Sequence, residues 1–274
     1  MPLRWSAVTQ HASLQPVARF SDRVGDYARH RPSYPQEAIQ AALAGLNVGP
    51  GFAAVDVGAG TGISTRLLAE KVLPAGGRVV AIEPNAAMRE QGKHSSDSRI
   101  EWMGTSGEQT GLPERSADLV LCAQAFHWLD GPAALDEFAR ILRPGGRAAL
   151  LWNVQDTTDE FTAGYNRALR SHAVDEPRSP TYISDPDGAY CGLPGILRDH
   201  PGFSSYAHFE LRGDQTLDMD GLLGRALSAS YAPKSGRGYE SLKRTLAELF
   251  REYQVNGRVR LRYSVRLHRA ERRA

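Results

Sequence analysis

Between residues 52 and 152, short apolar runs alternate with helix-spaced apolar stripes. Phe52 to Val57 is one such run, and Ile63, Leu67, Leu68 and Val72 follow on one helical face. Gly76-Gly77 makes a turn, and Arg78 to Ile82 reads as a second strand. Arg99 to Met103 is a short third strand and Ser116 to Ala123 a fourth. Ala134, Leu135, Phe138, Ile141 and Leu142 form a second clear stripe, stopped by Pro144-Gly145-Gly146 before a fifth strand, Arg147 to Trp152. Strands and helices in alternation predict an α/β fold with a mostly parallel sheet. Upstream, Gln36 to Leu46 reads as a helix opened by a Pro32/Pro35 turn.

Beyond residue 152 the rhythm breaks. Glu160 to His172 is helical in pattern, while prolines 177, 180, 186 and 194 give the following stretch loop composition. Residues 20–35 and 153–200 are therefore expected to form cap or lid segments on a single 1–274 domain. Phe203 to Leu211 reads as a sixth strand, with helices expected at Met219 to Ser230 and Tyr239 to Tyr253. The last stretch alternates: Val259, Leu261, Tyr263, Val265 and Leu267 share one face, and Arg258, Arg260, Arg262 and Arg266 the other. Arginines in such a row require that one face of this strand be partly open.

The chemistry concentrates where strands end. Gly58-Ala59-Gly60-Thr61-Gly62 links the first strand to its helix. Gly58 permits a sharp turn, and Gly60 removes a Cβ where a ligand would touch the backbone. The helix start adds free N–H groups. Asp56 is an anion beside this loop, suited to a cationic or hydroxyl-rich ligand. The Gly-x-Gly-x-Gly spacing differs from that of a dinucleotide turn. Glu83 ends the second strand, 25 residues past Gly58. A carboxylate there can accept both hydrogen bonds of a ribose diol. The fourth strand runs out into Gln124-Ala-Phe-His-Trp128, at the edge where ligands lie in open parallel sheets.

Composition narrows the classes. Thirty-three basic and 31 acidic residues leave a net charge of +2, which gives no general attraction to nucleic acid or anionic membrane. Two cysteines, Cys122 and Cys191, make neither a disulfide framework nor a zinc site, and no metal is expected. No apolar run reaches membrane-spanning length, so a cytoplasmic protein, monomer or homodimer, is expected.

As an ordered set, Asp56-x-Gly-x-Gly-x-Gly62, Ser116-x-Asp-Leu-Val120, Ala123-Gln-Ala-Phe-His-Trp128 and Leu142-Arg-Pro-Gly-Gly146 resemble class I S-adenosylmethionine (SAM)-dependent methyltransferases of the type 11 group. Tyr27-x-x-x-Arg31-Pro-x-Tyr34-Pro35 and Ser230-Tyr-Ala-Pro-Lys-Ser-Gly236 resemble the trans-aconitate methyltransferase-like branch. The resemblance implies a Rossmann-like sheet of about seven strands, the last inserted antiparallel between the fifth and sixth. It implies SAM as cofactor and S-adenosylhomocysteine (SAH) as product. The implied cofactor site comprises Tyr27, Arg31, Asp56, Gly58, Ala59, Gly60, Glu83, Pro84, Met88, Thr105, Ser106, Ala123 and Phe126. Thr105 stands where many of these enzymes carry an aspartate for the adenine amino group. The implied substrate site comprises Tyr34, Trp128, Trp152, Tyr231 and Lys234, with His127 as the base if the acceptor needs one. The expected acceptor is an oxygen, carboxylate or hydroxyl, of a small acid or natural-product intermediate. A carbon or nitrogen acceptor, and a SAM-binding protein without catalysis, are the alternatives.

Overall fold

A computed structural model describes residues 30–174, 193–229 and 231–274. Tyr27, Cys191 and Ser230 lie outside the described residues, as do positions 20–29 and 175–192 of the expected cap. The chain opens with α1 (Gln36–Leu43), β1 (Ala53–Val57), α2 (Ile63–Val72), β2 (Arg78–Ile82), α3 (Ala86–His94), β3 (Glu101–Met103) and β4 (Ala117–Ala123). A 3-10 turn, Phe126–Trp128, leads to α4 (Gly131–Ile141) and β5 (Leu142–Gln155). Then come α5 (Glu160–Ser171), α6 (Leu193–Asp199), β6 (Phe203–Leu217), α7 (Met219–Leu227), α8 (Gly236–Tyr253) and β7 (Val259–Arg272).

The sheet has seven strands in the order β3-β2-β1-β4-β5-β7-β6. The pairings from β3 to β5 are parallel. β7 runs antiparallel to both β5 and β6, inserted between them as the resemblance implies. Every residue of β1 is buried, as a central parallel strand covered on both faces requires. Two apolar clusters lie against the two faces. Ile39, Leu68, Tyr165, Leu222 and Leu246 belong to one; Phe126, Leu135, Phe138, Ile141 and Leu197 belong to the other.

The elements differ from expectation mainly past residue 150. β5 runs on to Gln155, and β6 extends to Leu217 rather than Leu211. α5, expected within the cap, buries Phe161, Tyr165, Ala168 and Leu169 in the core. Its start is fixed by Asp159, which accepts from the Thr162 amide at 3.0 Å. The open face expected for the last strand is present. Arg260 and Arg262 are exposed there and pair with Asp214 at 3.6 Å and Asp159 at 3.2 Å. Among the described residues no helix is long and apolar enough to cross a membrane.

Candidate functional site

The carboxyl ends of β1, β2, β3 and β4 enclose a cleft of about 250 Å³. Its lining includes Gly58, Gly60, Glu83, Pro84, Met88, Ser106 and Trp128, all expected from the sequence. The glycine turn explains the opening. Gly58 has φ +70°, and a Cβ there would lie 2.3 Å from the Ala125 Cβ. Gly60 has φ +57°, and a Cβ there would meet nothing within 4 Å, so it would project into open space. The first glycine lets two loops touch; the second leaves room for a ligand against the backbone.

Glu83 is held from both sides. One carboxylate oxygen accepts from the Gly60 amide at 2.9 Å and the other from the Asn85 amide at 2.8 Å. A carboxylate has about four acceptor positions, so acceptor capacity remains on both oxygens. Burial pushes its carboxyl up, while the two amides and Arg89 pull it back toward the charged form. Glu83 thus braces the loop and keeps lone pairs for a diol. Asn85 caps α3 by accepting from the Met88 amide at 3.0 Å, which sets Met88 on the cleft wall.

Several expected residues are placed elsewhere. Asp56 does not reach the cleft: it is fully buried and accepts from the Ser64 and Thr65 hydroxyls at 2.7 and 2.6 Å. It therefore ties the end of β1 to the first turn of α2. Desolvation lifts its carboxyl to about 6, against the pull of those two hydroxyls, and the charge of Glu83 adds to the rise. Ala59, Ala123 and Phe126 pack into the core. Thr105 turns its hydroxyl to the Thr110 carbonyl at 2.8 Å. His127 is buried, its ring tilted against Trp128 at 5.1 Å, and it does not line the cleft. Trp152 is a core residue, edge-on to His268 at 5.9 Å.

Gln124, Ala125 and Leu129, from the segment expected to face the site, also line the cleft, together with Asn85 and Glu108, which the sequence did not single out. Gln124 carried a signal only the backbone reveals: a non-glycine residue at φ 54°. Its side-chain amide donates to the Asn153 carbonyl at 3.0 Å.

Asn153 in turn borders a second, more polar groove of about 790 Å³, on the same carboxyl edge of the sheet. Tyr34, Asp156, Arg212, Asp214, Arg260 and Arg262 also line it. Gln124 and Asn153 thus make a shared wall between cleft and groove. Of the expected substrate residues, Tyr34 borders the groove and Trp128 the cleft. Arg31 donates to the Ser228 carbonyl at 3.0 Å, behind the groove. Tyr231 is half-buried and within electrostatic reach of Arg31 and Arg225, and Lys234 is exposed. Among the described residues no cluster of histidine, cysteine, aspartate or glutamate is placed to hold a metal.

A seven-stranded sheet with β7 inserted antiparallel, a glycine turn after β1 and an acid at the end of β2 define the class I methyltransferase fold. Residues 55–150 match the methyltransferase domain family. An uncharacterized methyltransferase of Mycobacterium tuberculosis is 42% identical over 139 residues, 50% of this chain and 53% of its own length. A probable SAM-dependent methyltransferase of Saccharomyces cerevisiae is 28% identical over 146 residues, 51% of this chain and 48% of its own. The chain thus spans about half the length of the curated relatives it matches. Among solved structures, a candidate type II methyltransferase of Anaeromyxobacter dehalogenans shares the fold, with TM-score 0.58 and 23% identity. That alignment covers 89% of this chain and 97% of the other.

Proposed function

We propose that this protein transfers a methyl group from SAM to an oxygen of a small acceptor. The observation that carries the reading is the cleft. Gly58 and Gly60 open it, Glu83 is braced by the Gly60 amide, and Met88, Ser106 and Trp128 stand around it. These residues fit a nucleoside ligand: a carboxylate with spare lone pairs for the ribose, backbone exposed by glycine, and apolar walls for a flat ring. The methyltransferase domain match over 55–150 and the SAM-dependent relative support that assignment.

When bound, SAM supplies an activated methyl on a sulfonium. The protein's part is to hold, align and exclude water. Glu83 anchors the ribose end, and Trp128 and Leu129 supply an apolar wall. The groove beyond the Gln124–Asn153 wall takes the acceptor, and its three arginines against two aspartates leave it slightly positive, which suits an anionic one. A carboxylate acceptor is already a nucleophile at neutral pH, so the buried position of His127 is no obstacle. The Tyr34-Pro35 and Tyr231–Gly236 segments support the narrower likeness to the trans-aconitate branch.

Titration calorimetry with SAM and SAH on the purified protein tests the cofactor assignment, with binding of both as the expected result. Transfer of label from methyl-labelled SAM across small acids, alcohols and amines tests the acceptor. Absence of heat with either ligand, on folded protein, overturns the reading; label found only on amines overturns the oxygen assignment.

A further inference from the structure

Behind the groove lies a group of side chains that the cleft does not use. Arg225, on α7, is 7% exposed. Its guanidinium stays charged at any ordinary pH. Among the described residues its side-chain hydrogen bonds go to hydroxyls: Nε donates to the Tyr263 hydroxyl at 3.4 Å, and a terminal nitrogen donates to the Ser228 hydroxyl at 3.2 Å. Among the described residues it makes no ion pair. Tyr165, on α5, is fully buried, and among the described residues its hydroxyl has no hydrogen-bond partner. Arg225 and Arg31 both lie within electrostatic reach of Tyr165 and Tyr231. No carboxylate is among these groups.

A buried cation that meets only neutral hydroxyls and a buried hydroxyl with nothing to bond are two separate deficits. One oxyanion placed between them satisfies both. A guanidinium fork binds carboxylate or phosphate oxygens in pairs, and a phenol adds a further donor. The link to the acceptor side runs through Tyr263, which bonds Arg225 and borders the polar groove but not the cleft; Arg31, Arg225, Tyr165 and Tyr231 stand behind it and line neither.

We infer that Arg225 and Tyr165, with Tyr263 and Tyr231 around them, form the receptor for an anionic group of the acceptor, of carboxylate or phosphate type. The inference rests on the methyltransferase reading for the word acceptor; the anion site itself stands on the side chains. It makes Arg225 a specificity residue: it selects acceptors carrying a second, unreacting anionic group, and it holds that group away from the one that receives the methyl.

The test uses the whole protein with SAH present, at fixed ionic strength. Succinate and inorganic phosphate are titrated by calorimetry and by thermal shift, with chloride as the control. At least one of the two is expected to bind and to raise Tm, and which one does identifies the anion. Arg225→Met is expected to abolish that response while SAH binding stays as in the parent. Tyr165→Phe gives the sharper result. Removing a hydroxyl that has no partner should leave the Tm of the ligand-free protein equal or higher, yet weaken the anion by about tenfold. If Arg225→Met does not fold, Tyr165→Phe carries the test.

Three outcomes overturn the inference: no response to either anion, a response unchanged in both variants, or loss of SAH binding in Arg225→Met with 5′-methylthioadenosine binding retained. The last would give the cluster to the carboxylate of the cofactor. Failure of SAH to bind the parent protein, with an Arg225-dependent anion response intact, would instead remove the methyltransferase reading and leave the anion site standing.

Discussion

At the β1–β2–β4 end of the sheet the cleft is lined by glycine backbone, two acids, three short or amide side chains and an apolar wall. At the β5–β7–β6 end the groove is lined by arginines and aspartates. The two share a wall at Gln124 and Asn153 but little chemistry. The first surface is made mostly of main chain, whose geometry the strand–turn–helix sequence fixes. The second is made of long side chains on a half-open sheet, where one substitution changes the charge without touching the fold. A protein so divided can keep one ligand while its other surface is retuned, which matches a domain-family likeness confined to residues 55–150.

The largest expected effect separates the two glycines of the turn. Gly58→Ala puts a methyl 2.3 Å from Ala125 at a positive φ, and should cost about 2–4 kcal/mol in urea unfolding and lose SAH binding with it. Gly60→Ala meets no neighbour and should cost only about 1–2 kcal/mol of strain, yet still lose SAH binding. If the second variant binds SAH normally, the cleft is not the ligand site.

Next is the pH dependence set by Asp56. Its carboxyl titrates near 3.8 in the unfolded chain and near 6 when folded. Between those values the folded protein holds a proton that the unfolded chain has released. Its favourable term is therefore complete below pH 3.8 and lost as pH rises through 6, in all roughly 3 kcal/mol. Denaturant unfolding at pH 4, 5, 6 and 7 should show this loss in the parent and not in Asp56→Asn. Parallel curves for the two would mean the carboxylate is paired more strongly than its two hydroxyl partners allow.

Glu83→Gln tests the acid of the cleft at nearly constant volume. It should weaken SAH by about 10- to 100-fold, with a smaller effect on Tm, because charged hydrogen bonds to the ribose are replaced. Unchanged affinity would move the ribose elsewhere. The smallest effect is expected at His127. Being buried and off the cleft, its replacement by alanine should change turnover by less than about tenfold, below the range of a lost general base. A drop beyond a hundredfold would make it the base and favour a hydroxyl or carbon acceptor.

The sequence made the first half of the molecule legible because period and punctuation agree there. Apolar runs bounded by Gly58, Gly76-Gly77 and Pro144-Gly145-Gly146 mark strand and helix ends, and ligand chemistry sits at strand ends. Burial was less readable. Asp56 precedes the glycines in either case, and only the packed structure turns its carboxylate inward onto Ser64 and Thr65. Ala123 and Phe126 lie on the right strand end but point into the core. β6 was read six residues short because Gly213, between charged neighbours, looks like a stop. Arg225 left no sequence signal at all. It is a lone arginine in a helix, and its isolation from acids arises only when α5, α7 and β7 meet.

The insertion of β7 between β5 and β6 also dictates an order of assembly. β1 to β4 pair over shorter separations, the longest being β1 with β4 at 65 residues (Ala54 opposite Leu119). Among the described residues β6 pairs with β7 alone, and β7 must also reach back to β5 over more than a hundred residues. Such distant pairings form late, because long loops must close before they are rewarded. Until residues 259–272 dock, β6 carries a bare row of amides and carbonyls, a template for pairing with another unfinished copy. During folding, the cleft end of the sheet is thus expected to be the nucleus, and the groove end the place where misassembly begins.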